Sequence, residues 1–255
     1  MENTALHLAA CLQGYIPVRK DPFERSEMVT QVLFGEYMDI LDDEGKWLYI
    51  KMRYDGYEGW IDKKCASITE DISEAKYLVT GNNTRIRNMT LNQDVIIPIG
   101  SVLPALNKNS FKMGPYSYQL SRQEDITEIG KGELESLLPM VLSVPYLWGG
   151  RSGFGFDCSG LVQFLCRAAG KKVPRDAGDQ SAHGSTLSFI DETRAGDLAF
   201  FDNTEGLIHH VGMITGSNQI VHASGMVRID RLDHQGIYNA REEKYSHKLR
   251  VLKRI

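Results

Sequence analysis

The spacing of apolar residues changes near Asp125, and this change is the strongest constraint on how the chain folds. Before that point, short runs of alternating apolar and polar residues are separated by Asp, Gly, Glu and Asn clusters, a pattern typical of strands and turns. After it, GKGELESLLPMVLSV and CSGLVQFLCRAAG carry apolar residues at helical spacing, and strand-like runs follow. The sequence therefore predicts an all-β part followed by an α+β domain.

The length of 255 residues leaves room for two or three compact domains. Runs such as VTQVLFGEYMDIL and KWLYIKMRY, between Tyr15 and Ile68, predict a small β barrel that we assign to residues 1–70. A second set of short runs predicts a smaller β domain over 71–124, and residues 125–255 form the predicted α+β domain.

The charge balance disfavours nucleic acid and anionic membranes as partners. The chain has 29 basic and 33 acidic residues without a run of like charge. Its first twenty residues lack the basic and apolar regions of a signal peptide, and no stretch reaches the roughly 18 apolar residues of a membrane span. We expect a monomer located in the cytoplasm, or a secreted one if a leader has been removed.

Cysteine usage points to a free thiol. The four cysteines are too few for a disulfide scaffold and lack the paired spacing of a zinc site. Cys158 lies where a glycine-rich loop turns into an apolar helix, and the N-terminus of a helix lowers the pKa of a thiol. Its polar neighbours in DCSG favour a catalytic cysteine over an ordinary buried one.

Two histidines lie on predicted neighbouring strands. In LIHHVGMITG, alternation directs His209 and His210 to opposite faces, and a hairpin at 216–218 can bring His210 beside His222. Together with Cys158 they satisfy the need for a nucleophile, a base and a group that orients the base, although a lone histidine is more often structural. A zinc site that uses both adjacent histidines lacks the geometry, and we expect neither a metal nor a cofactor.

Six stretches of the predicted α+β domain together resemble the NlpC/p60 family of cysteine peptidases. They are YLWGG (146–150), FDCSGLVQF (156–164), PRDAGDQ (174–180), AGDLAFF (195–201), HVGMI (210–214) and VHAS (221–224). The resemblance implies a papain-like fold in which Cys158 is the nucleophile, His210 the base and His222 the third residue. The family's histidine directly precedes Val-Gly, which selects His210 over His209.

The resemblance also implies how the triad works. The backbone N–H of Cys158 is a natural oxyanion donor, and the family's tyrosine that matches Tyr146 assists it. His222, as a neutral acceptor, fixes the tautomer of His210. Because an imidazole carries no negative charge, we expect it to stabilise an imidazolium less than an aspartate would.

The implied substrate is the γ-D-glutamyl to diamino acid bond of murein peptides. The residues that match the family's substrate pocket are Trp148, Asp157, Ser159, Arg175 and Asp176. Arg175 is expected to bind a substrate carboxylate through a forked pair, the alternative being that Arg175 and Asp176 form a surface loop pair. Ala177 departs from the family, where a hydroxyl residue is common, and this weakens the expected grip on D-glutamate.

The N-terminal region, from IPVRKDPF to DGYEGWI, resembles the bacterial SH3-like domain that precedes many NlpC/p60 domains. In the dipeptidyl-peptidase VI branch, an acidic residue and a tyrosine of this domain cap the pocket and bind the free amine of an N-terminal L-alanine. The resemblance makes Glu27 and Tyr57 the candidates, with Asp157 sharing the ammonium charge; the alternatives are a solvated turn glutamate and a structural tyrosine of the barrel. We therefore expect an enzyme that recycles released peptides.

Two other classes of function remain open. One is an amidase or acyltransferase that uses the same thiol on another substrate, since a triad does not specify the acyl group. The other is a wall-binding protein with an inert C-terminal domain, and the intact set of Cys158, His210 and His222 argues against it.

Overall fold

The computed structural model describes residues 5–216 and 218–255 and divides the chain into two compact units. The first unit consists of Met1–Lys131 and Trp148–Gly153, and the second of Gly132–Leu147 and Phe154–Ile255. The first four residues of the predicted 1–70 domain, and Ser217 in the predicted hairpin turn, lie outside the described residues.

The first unit is built from short strands. They are β1 (His7–Ala10), β2 (Tyr15–Arg19), β3 (Met28–Leu33), β4 (Tyr37–Glu44), β5 (Trp47–Met52), β6 (Glu58–Asp62), β7 (Ser67–Ile68), β8 (Tyr77–Val79), β9 (Thr84–Asn88), β10 (Gln93–Ile97), β11 (Val102–Leu103), β12 (Ser110–Met113), β13 (Tyr116–Leu120), β14 (Ile126–Glu128) and β15 (Arg151–Ser152). Short 3₁₀ turns cover Lys63–Cys65 and Gln123–Asp125.

Strands β1 to β7 form one sheet in the order β3-β2-β6-β5-β4-β1-β7. Alternate residues point inward, as expected for strands with one buried face: Ile16 and Val18 of β2 join Ile50 and Met52 of β5 in one apolar cluster. Burying each such side chain contributes about 1.5–3 kcal/mol. The all-β prediction for this region is confirmed.

Strands β8 to β14 form a four-stranded sheet, β10-β9-β13-β12, and a three-stranded sheet, β11-β8-β14. The apolar cluster between these strands includes Phe34, which belongs to the predicted domain 1–70. Gly35 takes a φ of +87° next to it, and a Cβ there would lie 1.9 Å from the carbonyl oxygen of Val102. The predicted domains 1–70 and 71–124 therefore belong to one compact unit.

The second unit begins later than the predicted residue 125, because β14 (Ile126–Glu128) pairs with β8. Its elements are α1 (Leu134–Val141), β16 (Gly155–Phe156), α2 (Cys158–Ala168), α3 (Ala177–Ser181), β17 (Ser185–Leu187), a 3₁₀ turn (Ile190–Glu192), β18 (Leu198–Asp202), β19 (Ile208–Gly216), β20 (Gln219–Ser224), β21 (Met226–Asp233), β22 (Gly236–Asn239) and β23 (Lys244–Arg254). The sheet order is β17-β23-β18-β19-β20-β21-β22, and β23 also pairs with β22, so six strands close on themselves.

Helix α2 contacts β19 and β20 and is buried along its whole length. It ends just before Gly170, whose φ of +73° is a conformation that glycine adopts readily after a helix. The helix and the strands predicted at 197–201, 211–215 and 219–222 are confirmed with small shifts at their ends. Among residues 5–216 and 218–255, no helix has both the length and the apolar character needed to cross a membrane.

Candidate active site

The thiol of Cys158 lies at the first residue of α2, where the sequence provides a helix cap. Asp157 precedes the helix in an extended conformation, and its Oδ1 accepts a hydrogen bond of 2.7 Å from the N–H of Gly160. An aspartate cap of this kind contributes about 1 kcal/mol. Cys158 itself is only 8% exposed, and the N–H of Val211, the residue after His210, hydrogen-bonds to its sulfur.

His210 and His222 form a direct pair. The register of β19 and β20 places Gly212 opposite His222, so that His210 is the diagonal neighbour of His222 on the same face. His210 Nε2 lies 2.9 Å from His222 Nδ1, and both rings are buried. His209 is exposed, so the structure brings His210 to His222, as the alternation of the strand predicts.

The pair continues to a carboxylate that the sequence analysis did not identify. His222 Nε2 lies 3.0 Å from Asp230 Oδ2 in β21. Arg228 grips the same carboxylate from the other side, with Nε 2.8 Å from Oδ2 and Nη2 donating to Oδ1 at 2.8 Å. Strand alternation could have indicated this carboxylate. The pairing of β20 with β21 places Arg228 opposite His222, so Asp230, two residues further on, lies on the same face.

A further histidine, His247 in β23, was not predicted from the sequence but lies beside this pair. Its ring lies 4.1 Å from the ring of His210 between centroids, at an interplanar angle of 22°. Nitrogens of His210, His222 and His247 lie within 4.8 Å of one another, close enough for a metal ion. The orientation does not fit one, because imidazole lone pairs lie in the ring plane and two stacked rings direct them along parallel planes. The Nε2 of His210 is also engaged with His222.

The predicted pocket residues at the start of α2 form a buried ion pair. Arg175 Nη1 and Nη2 donate to the two oxygens of Asp157 at 3.0 and 2.5 Å, and Nη1 also donates to Ser159 Oγ at 2.8 Å. Arg175 is 3% exposed, so the alternative of a surface loop pair does not hold for it. Arg175, which was expected to bind a substrate carboxylate, is instead bound to Asp157. Asp176 is exposed at the start of α3.

Burial controls the protonation of the site. It raises the pKa of the Cys158 thiol to about 11, and Asp157 adds to this shift, whereas the N–H of Val211, Arg175 and the N–H of Ser159 oppose it. The N–H group of Ser159 at the helix N-terminus thus lowers the thiol pKa as predicted, but burial outweighs it and the net shift is upward. Burial, with His247, His222 and His209 nearby, likewise holds the pKa of His210 well below its ordinary value.

Tyr146 is half-buried in the same unit. Burial, the Cys158 thiol and Asp157 raise the pKa of its hydroxyl to about 12, against the effect of Arg175. Its backbone N–H donates to Gly225 O at 3.0 Å, in the turn between β20 and β21. The phenol consequently remains protonated at neutral pH and retains a hydrogen atom to donate.

The other predicted substrate residues lie in the first unit. Trp148, which the sequence analysis assigned to the catalytic domain, belongs to this unit, where its Nε1 donates to Glu27 Oε1 at 2.6 Å. Glu27 and Trp148 are both exposed, and Tyr57 packs partly buried against the apolar cluster of β1 to β6. The structure thus joins Glu27 to Trp148.

Comparison with known proteins identifies the class. Residues 143–245 match the NlpC/P60 family, and residues 18–64 match the bacterial dipeptidyl-peptidase SH3 domain. The chain is 34% identical over 212 residues to the γ-D-glutamyl-L-lysine dipeptidyl-peptidase of Bacillus subtilis (strain 168), covering 76% of this chain and 71% of that protein. The chain belongs to the NlpC/P60 family and is a cysteine peptidase with a bacterial SH3 domain.

Two further similarities were found, one in sequence and one in fold. The chain is 26% identical over 234 residues to the γ-D-glutamyl-L-lysine dipeptidyl-peptidase of Bacillus cereus (strain ATCC 10987 / NRS 248), covering 78% of this chain and 68% of that protein. The crystal structure of an NlpC/P60 family protein from Bacillus cereus ATCC 10987 is 22% identical, with a TM-score of 0.81 over 97% of this chain and 99% of that chain. The latter supports the fold.

Proposed function

We propose that the protein hydrolyses the γ-D-glutamyl to L-diamino acid bond of murein peptides, with Cys158 as nucleophile, His210 as base and His222 as the group that orients the base. The observation that carries the proposal is the 2.9 Å contact between His210 and His222 in the unit where α2 begins at Cys158. The names of the two Bacillus relatives support the choice of bond. A helix that starts at the thiol and packs on the histidine strands also supports the papain-like classification.

The geometry supports a two-step acyl transfer. His210 takes the proton of the Cys158 thiol, and the sulfur attacks the γ-carbonyl carbon of the glutamyl residue. His210 then gives the proton to the leaving amine of the diamino acid, and a water molecule, activated by the same imidazole, hydrolyses the thioester. The backbone N–H of Cys158 and the protonated hydroxyl of Tyr146 stabilise the oxyanion in both steps.

The roles of the charged residues in substrate binding differ from those that the sequence predicted. The guanidinium of Arg175 neutralises Asp157, so Asp157 attracts a substrate ammonium less than an unpaired carboxylate would. We assign the free amine of L-alanine chiefly to Glu27, assisted by Tyr57, while Arg175 holds Asp157 in the helix cap. Recycling of released peptides, a cytoplasmic location and a monomeric state stay predictions.

The first test is mass spectrometry of L-Ala-γ-D-Glu-L-Lys, and of its diaminopimelate analogue, after incubation with the protein. We expect release of L-Ala-γ-D-Glu, and a fall in kcat of at least about 10³-fold in Cys158→Ala and His210→Ala. The matched control is Cys166→Ala, which removes a buried thiol from the same helix and should retain activity. Undiminished cleavage by Cys158→Ala would disprove the mechanism.

The second test concerns the free amine. Glu27→Gln should lower kcat/KM for the free-amine peptide by about 10- to 100-fold, because it removes the charge opposite the ammonium. The control is Glu24→Gln, an exposed carboxylate of the same loop that pairs with Lys46. Equal cleavage of the free and N-acetylated peptides by the wild type would remove the requirement for an amine. Cleavage of neither would favour an amidase or acyltransferase acting on another substrate.

A further inference from the structure

A line of polar contacts runs diagonally across three neighbouring strands of the second unit. It starts at His210 in β19, passes to His222 in β20 and ends at Asp230 in β21, with contacts of 2.9 and 3.0 Å. Arg228 closes the line by binding both oxygens of Asp230. His222 is 1% exposed, and the side chain of Asp230 is 9% exposed, so water does not compete freely for these atoms.

The direction of each hydrogen bond follows from the chemistry of its end group. Although burial opposes ionisation, the hydrogen bonds from His222 and Arg228 hold the pKa of Asp230 below its ordinary value, so the carboxylate is ionised and accepts only. His222 must then carry its proton on Nε2, which leaves Nδ1 as an acceptor. That nitrogen receives the Nε2–H of His210, and the free lone pair of His210 is left on Nδ1.

We propose that Asp230, held by Arg228, is a positioning residue that selects the tautomers of His222 and His210 in which Nδ1 of His210 accepts the proton of the Cys158 thiol. The inference rests on the proposed triad and extends it by one carboxylate. It also supplies the negative charge that an imidazole in the third position lacks, because the imidazolium formed at His210 is linked to Asp230 through His222.

Other groups near the line do not set the tautomer. His247 of β23 meets His222 edge-on, with 5.7 Å between ring centroids, and its Nδ1 lies 2.9 Å from Ser246 Oγ. Asn239 of β22 accepts a bond of 3.3 Å from Arg228. Asp230 is therefore the anion in contact with this histidine pair among the residues that the structure describes.

The test uses Asp230→Asn in the full-length chain. In either orientation of the amide, its NH2 group faces a donor of Arg228, so the side chain no longer enforces one tautomer of His222. We expect kcat to fall about 10- to 100-fold with KM changed less than about twofold, as for loss of an outer partner of a functional histidine. The matched control is Asp233→Asn, a carboxylate of the same strand that binds Arg231 and Tyr245 and should leave kcat unchanged.

A double-mutant cycle separates positioning from a structural role. An asparagine at position 222 has no tautomer to select, so Asp230→Asn should have no further effect on kcat in the His222→Asn background. An equal loss in both backgrounds would show that Asp230 merely supports the fold and would overturn the proposal. A change of less than about twofold in the single variant would overturn it as well.

Two readouts need no substrate, so failure of the proposed function is distinguishable from failure of this inference. Nitrogen-15 NMR of the ring nitrogens should show the proton of His222 on Nε2 in the wild type, and a mixture or the Nδ1 form in Asp230→Asn. Alkylation of Cys158 by iodoacetamide should be slower in this variant near pH 7, and the difference should vanish at high pH, where solvent removes the thiol proton. A wild-type proton on Nδ1 of His222 would refute the assignment.

Discussion

At the scale of single residues, burial and the helix N-terminus act on Cys158 in opposite directions. The free N–H groups at the start of α2 favour a thiolate, but the thiol is nearly inaccessible to water and lies beside the carboxylate of Asp157. His210 is equally buried and is surrounded by other imidazoles, which disfavour a positive charge. The resting pair is therefore a neutral thiol and a neutral imidazole, and the charge separates only during reaction.

A neutral resting pair predicts a distinctive reactivity of the thiol. Because the pKa of Cys158 is raised to about 11, the thiolate fraction grows with pH throughout the accessible range. The rate of alkylation by iodoacetamide should rise about tenfold per pH unit from about pH 8 to about pH 10. Mass spectrometry of the peptide that carries Cys158 gives this rate, and Cys65, half-buried in the first unit, serves as an internal comparison.

The opposite result has a clear meaning. A rate that is already constant between about pH 5 and pH 8 would show a thiolate and imidazolium pair at rest, as in other thiol peptidases. In that case the N–H groups around the sulfur would outweigh burial, and the resting charge would no longer be neutral.

At the scale of elements, the sequence was sufficient for the parts of the site that follow from local periodicity. The apolar spacing of CSGLVQFLCRAAG predicts α2, and alternation in LIHHVGMITG separates His209 from His210. Both features depend only on residues close together in the chain. The antiparallel pairing of β19 with β20 then brings His222 to His210.

The features that the sequence did not reveal depend on contacts between residues that are far apart in the chain. Asp230 was missed because VRIDRLD reads as an ordinary surface strand until the register that pairs His222 with Arg228 is known. Arg175 was assigned to a substrate carboxylate because periodicity does not show that it is buried against Asp157. The domain start was placed too early because β14 completes a sheet with β8, about fifty positions before it in the chain.

At the scale of the whole molecule, the two units contain separate natural probes. The three tryptophans, Trp47, Trp60 and Trp148, all lie in the first unit, so tryptophan fluorescence reports on its unfolding. Cys166 is 1% exposed within α2, so its labelling by a thiol reagent reports on the second unit. Unfolding in urea can thus be followed for each unit in one sample, which matters because a chain of two units need not unfold in a single step.

The cluster of buried imidazoles predicts that the second unit loses stability in mild acid. Burial, with His222 and His209 nearby, lowers the pKa of His247 from 6.5 to about 4. Its neutral form is therefore favoured in the folded state, and the unfolded chain binds the proton first as pH falls. Stability should decline from about pH 6.5 downward and reach its full loss near the folded pKa. Between about pH 7 and pH 5, the free energy of unfolding should decrease by about 2 kcal/mol for a fully buried histidine. The decrease is about 1 kcal/mol for His247, which is partly exposed.

The measurement is the urea midpoint of Cys166 labelling after equilibration at each pH, with the labelling pulse given at one fixed pH. The urea concentration at the midpoint should decrease as the pH is lowered from about 7 to about 5. His247→Gln should reduce this decrease because the variant has one buried imidazole fewer to protonate. The reference is His183→Gln, which removes an exposed imidazole from the same unit, so the difference between the two variants isolates the buried ring. An equal fall in both variants would mean that His247 is protonated as readily in the folded unit as in the unfolded chain, and the acid sensitivity between about pH 7 and pH 5 would then have to come from another buried imidazole such as His210.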